Sequence, residues 1–253
     1  APEVPVLKPE RVNTPELRDQ IRAVEADIWV VIAYGQKLGQ KLLTDKPAVN
    51  LYGSLLPRWR GAAPINAAVV AGDTRTGTSV ITLVDEMDAG DVLGTSERPI
   101  EPHQTAGELH DLLAEDGVTP LMQVLDDAAK GELKPVAQDQ LLVTLAPKVS
   151  REDARIDFGW DADRCRCLIH GYNPWPGVTV SLGGDPLKLL RAESLSGGVP
   201  GEPGAIVDPQ DGLVVCARGA LRLLEVQPAG KKPMPWAAYI RGRPITKGER
   251  LEP

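Results

Sequence analysis

Pro47-Ala48-Val49-Asn50-Leu51-Tyr52-Gly53-Ser54-Leu55-Leu56-Pro57-Arg58-Trp59-Arg60-Gly61-Ala62-Ala63-Pro64-Ile65 is the stretch on which the fold turns. An apolar approach ends in polar side chains, then in a Gly, a Pro and two cations. A buried strand looks like this when a rigid element stops at a site and a shaped loop takes over. Upstream, residues 27–33 (Asp-Ile-Trp-Val-Val-Ile-Ala) form an almost continuous apolar run of strand length between helical stretches. That is the pattern of a parallel-sheet strand buried on both faces. Thr14-Pro15-Glu16 reads as an N-cap followed by Pro at the first helical position, opening a helix to about residue 25 with Leu17, Ile21 and Val24 on one face. Val4 to Leu7 is short and β-branched, and residues 36–44 are a short helix candidate.

Downstream, residues 63–71 read as a helix of small residues stopped by Gly72-Asp73. Residues 78–84 and 91–97 flank the turn Asp85-Glu86-Met87-Asp88-Ala89-Gly90 and predict a hairpin-like pair. Thr105-Ala106-Gly107-Glu108 has the form of a capping box and opens a long amphipathic helix through about residue 131. Alternating strands and helices with short links predict an open, mostly parallel, Rossmann-like α/β sheet over residues 1–132. Residues 133–150 dissolve into Lys, Pro, Gln and Asp and read as an interdomain linker. Over residues 151–253 the texture becomes short β-rich runs (178–182, 187–190, 205–207, 213–217, 220–226) closely punctuated by Gly and Pro. This pattern predicts a small, OB-like β-barrel.

Composition bounds the function classes. The chain of 253 residues, 42% hydrophobic and 25% charged, has ordinary globular values. No apolar run approaches the ~20 residues of a membrane span, and the first residues lack the pattern of a secretory signal. The three cysteines, Cys165, Cys167 and Cys216, do not match zinc spacing and read as thiols in a reducing cytosol. A net charge of -7 argues against a protein coated in nucleic acid and leaves room for a local basic patch. The expectation is a cytoplasmic monomer without membrane partners or a metal.

Asn50, Tyr52 and Asp88 fall at the ends of predicted strands. Each reads either as a capping or turn-forming side chain or as a site residue. The second reading gains because all three would share the carboxyl edge of one sheet, where open α/β folds place ligands. An Asn amide is a hydrogen-bond donor that needs no protonation, and an Asp in a turn serves as a base or orients a water.

The segment from Asn50 to Gly61 resembles the signature of the formyltransferase family that uses 10-formyltetrahydrofolate, Asn-x-His-x-Ser-Leu-Leu-Pro followed by a basic, Gly-bearing loop. Asp85-Glu86-Met87-Asp88-Ala89-Gly90-Asp91 resembles the family's second signature, with Asp88 at its catalytic aspartate. Asn173-Pro174-Trp175-Pro176-Gly177, residues 227–234 (Gln-Pro-Ala-Gly-Lys-Lys-Pro-Met) and residues 151–157 resemble the C-terminal barrel of the branch acting on methionyl-tRNA. The resemblance implies formyl transfer from 10-formyltetrahydrofolate to the amine of methionyl initiator tRNA, without a metal. It implies that Asn50, Tyr52 and Asp88 are catalytic. It implies that Ser54, Leu55, Leu56 and Pro57 touch the folate, with Tyr34, Gly35, Leu38 and Met87 around the pterin. Lys231 and Lys232 become candidates for tRNA phosphates, beside the simpler reading of two solvated cations. Arg58 and Arg60 become candidates for the tRNA 3′ end, with a loop-shaping salt bridge as the other reading of Arg60.

Two departures accompany the resemblance. The family's histidine position holds Tyr52, a poor general base at neutral pH because a phenol titrates near pH ~10. The chain also opens at what resembles the family's third strand, so an N-terminally truncated sheet is expected. The competing expectations are a non-catalytic folate- or tRNA-binding homologue and a formyltransferase acting on another amine, such as an amino sugar.

Overall fold

The structure, a computed structural model, describes residues 6–43 and 46–253, with Gln40 described in its backbone only. The Val4-Pro5 part of the first apolar run and the Thr44 end of the second helix candidate lie outside the described residues.

The first half runs α1 (Pro15–Arg22), β1 (Trp29–Ile32), α2 (Gln40–Leu43), β2 (Ala48–Tyr52), β3 (Arg60–Gly61), α3 (Pro64–Val70), β4 (Arg75–Thr82), β5 (Val92–Pro99), α4 (Ala106–Asp116) and α5 (Val118–Lys130). The Thr14 side chain accepts the Leu17 N–H, as the N-cap reading requires, and helix α1 ends at Arg22. β1, β2, β4 and β5 form one sheet in that order. β1 pairs parallel with β2, and β2–β4 and β4–β5 are antiparallel. Parallel pairing among the described residues of this sheet is thus confined to β1 and β2. Among the described residues β1 lies at the edge, and it alternates half-buried and exposed, with Ile32 55% exposed, so the expectation of burial on both faces does not hold there.

β2 alternates as a strand must. Val49 and Leu51 pack with Val80, Leu93, Leu121 and Val124 beneath α5. Asn50 and Tyr52 therefore share the opposite face, with Tyr52 opposite Ser79 on β4. Close approach at the end of the hairpin dictates one residue: a Cβ on Gly90 would overlap Thr82 O, where the Thr82 N–H bonds Asp91 O at 3.0 Å.

The capping box is present. Thr105 Oγ1 accepts the Glu108 N–H, and the Glu108 carboxylate accepts the Thr105 N–H at 3.0 Å. The single long helix expected after it is instead two helices that part at Gly117. Pro120 supplies no N–H for the carbonyl four residues back, which ends the uninterrupted ladder.

The segment after α5 carries β6 (Leu145–Ala146), which pairs parallel with β3. The N–H groups of Arg60 and Ala62 bond Thr144 O and Ala146 O at 2.9 and 2.8 Å. Val92 and Val136 exchange both backbone bonds. A stretch that reads as an interdomain linker is therefore laid down as a strap against the first half. Its polar composition hides this because the pairing is made by the backbone.

The second half comprises α6 (Ala162–Gly171), β7 (Val178–Leu182), β8 (Asp185–Leu195), β9 (Ile206–Asp208), β10 (Leu213–Val215), β11 (Ala220–Pro228), β12 (Met234–Pro235), α7 (Trp236–Gly242) and β13 (Leu251–Glu252). Its strands form an antiparallel sheet ordered β13-β7-β8-β11-β10-β9, with β12 on β11. Ile206 N–H to Glu249 O at 2.8 Å and Leu251 N–H to Gly204 O at 2.9 Å draw the outer strands together into a barrel. Ile169, Val178, Leu182, Leu189, Ile206 and Leu221 are among its fully buried core. α6 lies between this sheet and α3, and Asn66 Nδ2 donates to Gly171 O at 2.7 Å. Cys165, Cys167 and Cys216 are buried free thiols.

The halves are clasped by Arg191, whose Nη1 and Nη2 reach Glu108 at 3.2 and 2.5 Å. The guanidinium, with help from Thr105, holds the Glu108 carboxyl down to about 2. An acid depressed below its unfolded value of ~4.3 adds stability that is complete above that pH and lost as pH falls toward the folded value. The pair is partly solvated, so Glu108→Gln should cost no more than ~1 kcal/mol at pH 7. Near pH 2 it should cost close to nothing. Denaturant titration at the two pH values checks both.

Candidate active site

The loop that follows β2 folds back on itself before it reaches α3. Ser54 Oγ donates to Arg58 O at 2.6 Å, and Ser79 Oγ donates to Ser54 O at 2.8 Å while accepting the Leu56 N–H. Ser54 is 1% exposed, so its hydroxyl serves the loop and does not face a folate. Leu55, Leu56 and Pro57 are half-buried on the same bend. Arg58 grips Asp73 through Nε and Nη2 at 2.9 and 2.6 Å and lies over the Trp59 ring, while Trp59 Nε1 donates to the same carboxylate.

The Asp85–Gly90 turn brings Asp88 over this loop. Asp88 Oδ2 accepts the Gly61 N–H at 2.9 Å and lies against the Tyr52 hydroxyl. Asp88 occupies the left-handed region at φ 55°, which Asp tolerates better than most residues. Because Asn50 and Tyr52 share one face of β2, the arrangement brings the predicted amide, phenol and carboxylate to one side of the sheet. Burial pushes the Asp88 carboxyl up from its ordinary value, opposed in turn by the Gly61 N–H, the Tyr52 hydroxyl and the charge of Arg60.

Tyr52 is 8% exposed, and its hydroxyl lies 2.6 Å from Trp59 O and 2.8 Å from Gly61 O. One O–H proton faces two carbonyls and a carboxylate, so the group donates and does not accept a proton. Burial, reinforced by the Asp88 charge, moves its titration further above neutrality. The phenol ties the 59–61 loop to β2 and is not a free donor waiting for substrate.

Arg60 is 4% exposed, so it is not a surface contact for RNA. Its Nε donates to Gln138 Oε1 at 3.0 Å and its Nη1 reaches Glu86 at 3.2 Å, in keeping with the loop-shaping reading. Gly61 sits at φ 128°, and a Cβ there would overlap Ala146 O on β6. Gly61→Ala should therefore destabilise the protein by about 1–3 kcal/mol. A lower midpoint in denaturant at unchanged slope checks it.

The remaining predicted residues are more dispersed. Tyr34 and Leu38 line an apolar cavity of about 290 Å³ with Leu7, Val12, Trp29 and Leu42 along the β1 edge. Gly35 is open to solvent and Met87 is 71% exposed on the Asp88 turn. Lys37 Nζ donates to Asp85 O at 3.2 Å, so the lip of this cavity and the Asp88 turn are tied together. Lys231 and Lys232 are exposed on the turn after β11, which Gln227 Nε2 closes by donating to Lys231 O at 2.9 Å. Sequence reasoning missed Asp73, Trp59 and Gln138 as organisers of the site. No local pattern marks Asp73 or Gln138, which act on residues 14 or more positions away, and Trp59 joins Tyr52, 7 positions back, to Thr144, 85 positions on.

Comparison with known proteins gives the arrangement its family. The profile described as Formyl transferase matches residues 2–125, and that described as Formyl transferase, C-terminal domain, matches residues 148–244. Proteins named methionyl-tRNA formyltransferase are similar over almost the whole chain. That of Thermobifida fusca is 43% identical, covering 98% of this chain and 81% of the relative. That of Neisseria gonorrhoeae is 42% identical, covering 97% and 81%. Among solved structures, HypX from Aquifex aeolicus, in complex with tetrahydrofolic acid, shares the fold at a TM-score of 0.69 and 18% identity, over 94% of this chain and 44% of that one. An N-formyltransferase from Helicobacter canadensis does so at 0.62 and 11%, over 79% and 71%. With both halves matched in order and relatives above 40% identity along nearly its full length, the chain belongs to the methionyl-tRNA formyltransferase family.

Proposed function

We propose that the chain moves the formyl group of 10-formyltetrahydrofolate to the α-amine of methionyl initiator tRNA, using Asn50 and Asp88. The observation that carries this reading is the Asp88 carboxylate, anchored by the Gly61 N–H on the face of β2 that also bears Asn50. The amine nitrogen attacks the formyl carbon and a tetrahedral centre forms with charge on its oxygen. Asn50 Nδ2–H stabilises that oxygen, Asp88 takes the proton lost by the amine and returns it to folate N10, and the bond from carbon to N10 breaks as N10 is protonated. A half-buried carboxylate suits this task, because burial raises its proton affinity toward that of a useful base. Tyr52 holds the loop in place and supplies no proton. Tyr34 and Leu38 offer the pterin an apolar wall, and Lys231 and Lys232 offer the tRNA backbone positive charge.

The test is transfer of labelled formyl from the folate donor to charged initiator tRNA by the purified chain. Label in the methionyl ester supports the reading. Transfer only to an amino-sugar nucleotide, or folate-induced stabilisation with no transfer to either acceptor, overturns it.

A further inference from the structure

We propose that Gln138, in the strap between the two halves, is a positioning residue for the Asp88 carboxylate. The inference rests on the reading of Asp88 as the proton acceptor. Gln138 is 8% exposed, and its amide is fully used. Both Nε2 hydrogens go to the Asp88 turn, to Asp88 O at 2.8 Å and Gly90 O at 2.7 Å. Its Oε1 accepts from Arg60 Nε at 3.0 Å. One side chain thus fixes the turn that carries the carboxylate and the cation whose charge bears on it. It also steadies the β3 strand whose Gly61 N–H meets Asp88 Oδ2.

The turn needs outside support for two reasons. Asp88 is held in the left-handed region, and the neighbouring Met87 is exposed and contributes no packing there. Two carbonyls turned inward want a donor, and removing it leaves each to find a partner by moving, because a buried acceptor left unpaired is costly. The strap can hold its glutamine steady because its own backbone is zipped on both sides. Val136 exchanges bonds with Val92, and Thr144 takes the Arg60 N–H on its carbonyl and the Trp59 N–H on Oγ1 at 2.9 Å each. The groups facing Asp88 are then Tyr52 from β2, Arg60 and the Gly61 N–H from β3, and Gln138 behind the turn.

The experiment is Gln138→Met in the whole chain, a change that keeps length and volume and removes the donors. A displacement of about 1 Å at a reacting group costs up to about 10²-fold. The expected result is kcat lower by about 10- to 100-fold with both KM values within about twofold. In an Asp88→Asn background Gln138→Met should cost nothing further, since its effect passes through the carboxylate. An unchanged kcat, or two losses that multiply, overturns the proposal.

Hydrogen exchange reads the same claim without turnover, so it still decides if the unaltered chain transfers no formyl and the proposed reaction fails. The Gly61 amide, bonded to Asp88, should exchange at least about tenfold faster in Gln138→Met, while the Ala62 amide, bonded to Ala146 O, keeps its rate. Equal Gly61 rates overturn the proposal. If Gln138→Met loses Ala62 protection as well, Gln138→Glu, which keeps the acceptor for Arg60, takes its place with the same expectations. Loss of Ala62 protection in both variants makes Gln138 a general support of the fold and overturns it too.

Discussion

Asp88→Asn should lower kcat for formyl transfer by about 10²–10⁴-fold, the range contributed by a positioned proton acceptor, and leave the fold intact. Asn is the replacement that isolates the chemistry. It tolerates the left-handed backbone at φ 55°, and its Oδ1 can still accept the Gly61 N–H. The sign of the stability change follows from linkage. Burial raises the Asp88 carboxyl above its unfolded value, so the ionised form is less favourable in the folded protein. Stability therefore falls as pH rises through the folded value, and above it the full cost is present. Removing the charge at pH 7 should leave the thermal midpoint unchanged or higher while activity collapses. The same shift places the acid limb of kcat/KM in the unaltered chain above the ordinary Asp value of ~3.9. A lower midpoint in parallel with lost activity would instead make Asp88 a structural residue.

Tyr52→His should raise kcat by about 10²–10³-fold, the worth of one well-placed donor to the developing oxyanion. The Tyr52 hydroxyl is held by Trp59 O, Gly61 O and Asp88, so its one proton is committed to the loop. An imidazole is shorter and has two nitrogens. One can meet the Asp88 carboxylate while the other donates toward the substrate oxygen, and the ring titrates near neutrality. The gain has a cost in stability, because the loop carbonyls lose their donor at about 1 kcal/mol. Tyr52→Phe loses the same bond without supplying a second donor. It should share the lower thermal midpoint and show none of the acceleration. Equal or lower kcat in Tyr52→His would mean that this chain reaches the transition state without an aromatic donor at position 52.

Much of this was legible in the chain because it is written locally. The β2 strand, the bend after it and the Asp88 turn are contiguous motifs, and the Thr105–Glu108 capping box lies within one turn of helix. The strands of the second half announced themselves by their turns, and β7 spans the same residues, 178–182, as the run that predicted it. What was hidden depends on partners far along the chain. α6 carries Cys165, Cys167, Leu168, Ile169 and His170 all buried, packed between the barrel sheet and α3. Its polar residues Asp163, Arg164 and Arg166 lie in its first half only, so no polar stripe runs its length to reveal the period. Arg60 reads either as a contact for RNA or as a loop-shaping ion pair, and what draws it inside is Gln138, 78 positions later. β1 looks like a central strand because its residues are apolar, but only its pairing shows that it lies at an edge among the described residues.

The most direct test is the structure of the chain with a hydrolysis-stable 10-formyl folate analogue bound. The pterin should lie against Tyr34 and Leu38, with the formyl oxygen about 3 Å from Asn50 Nδ2 and the formyl carbon on the same side of β2 as the Asp88 carboxylate. An analogue seated with its formyl group away from Asn50, or with Asp88 still facing only Gly61 and Tyr52 and no path to the carbon, would contradict the proposed reaction.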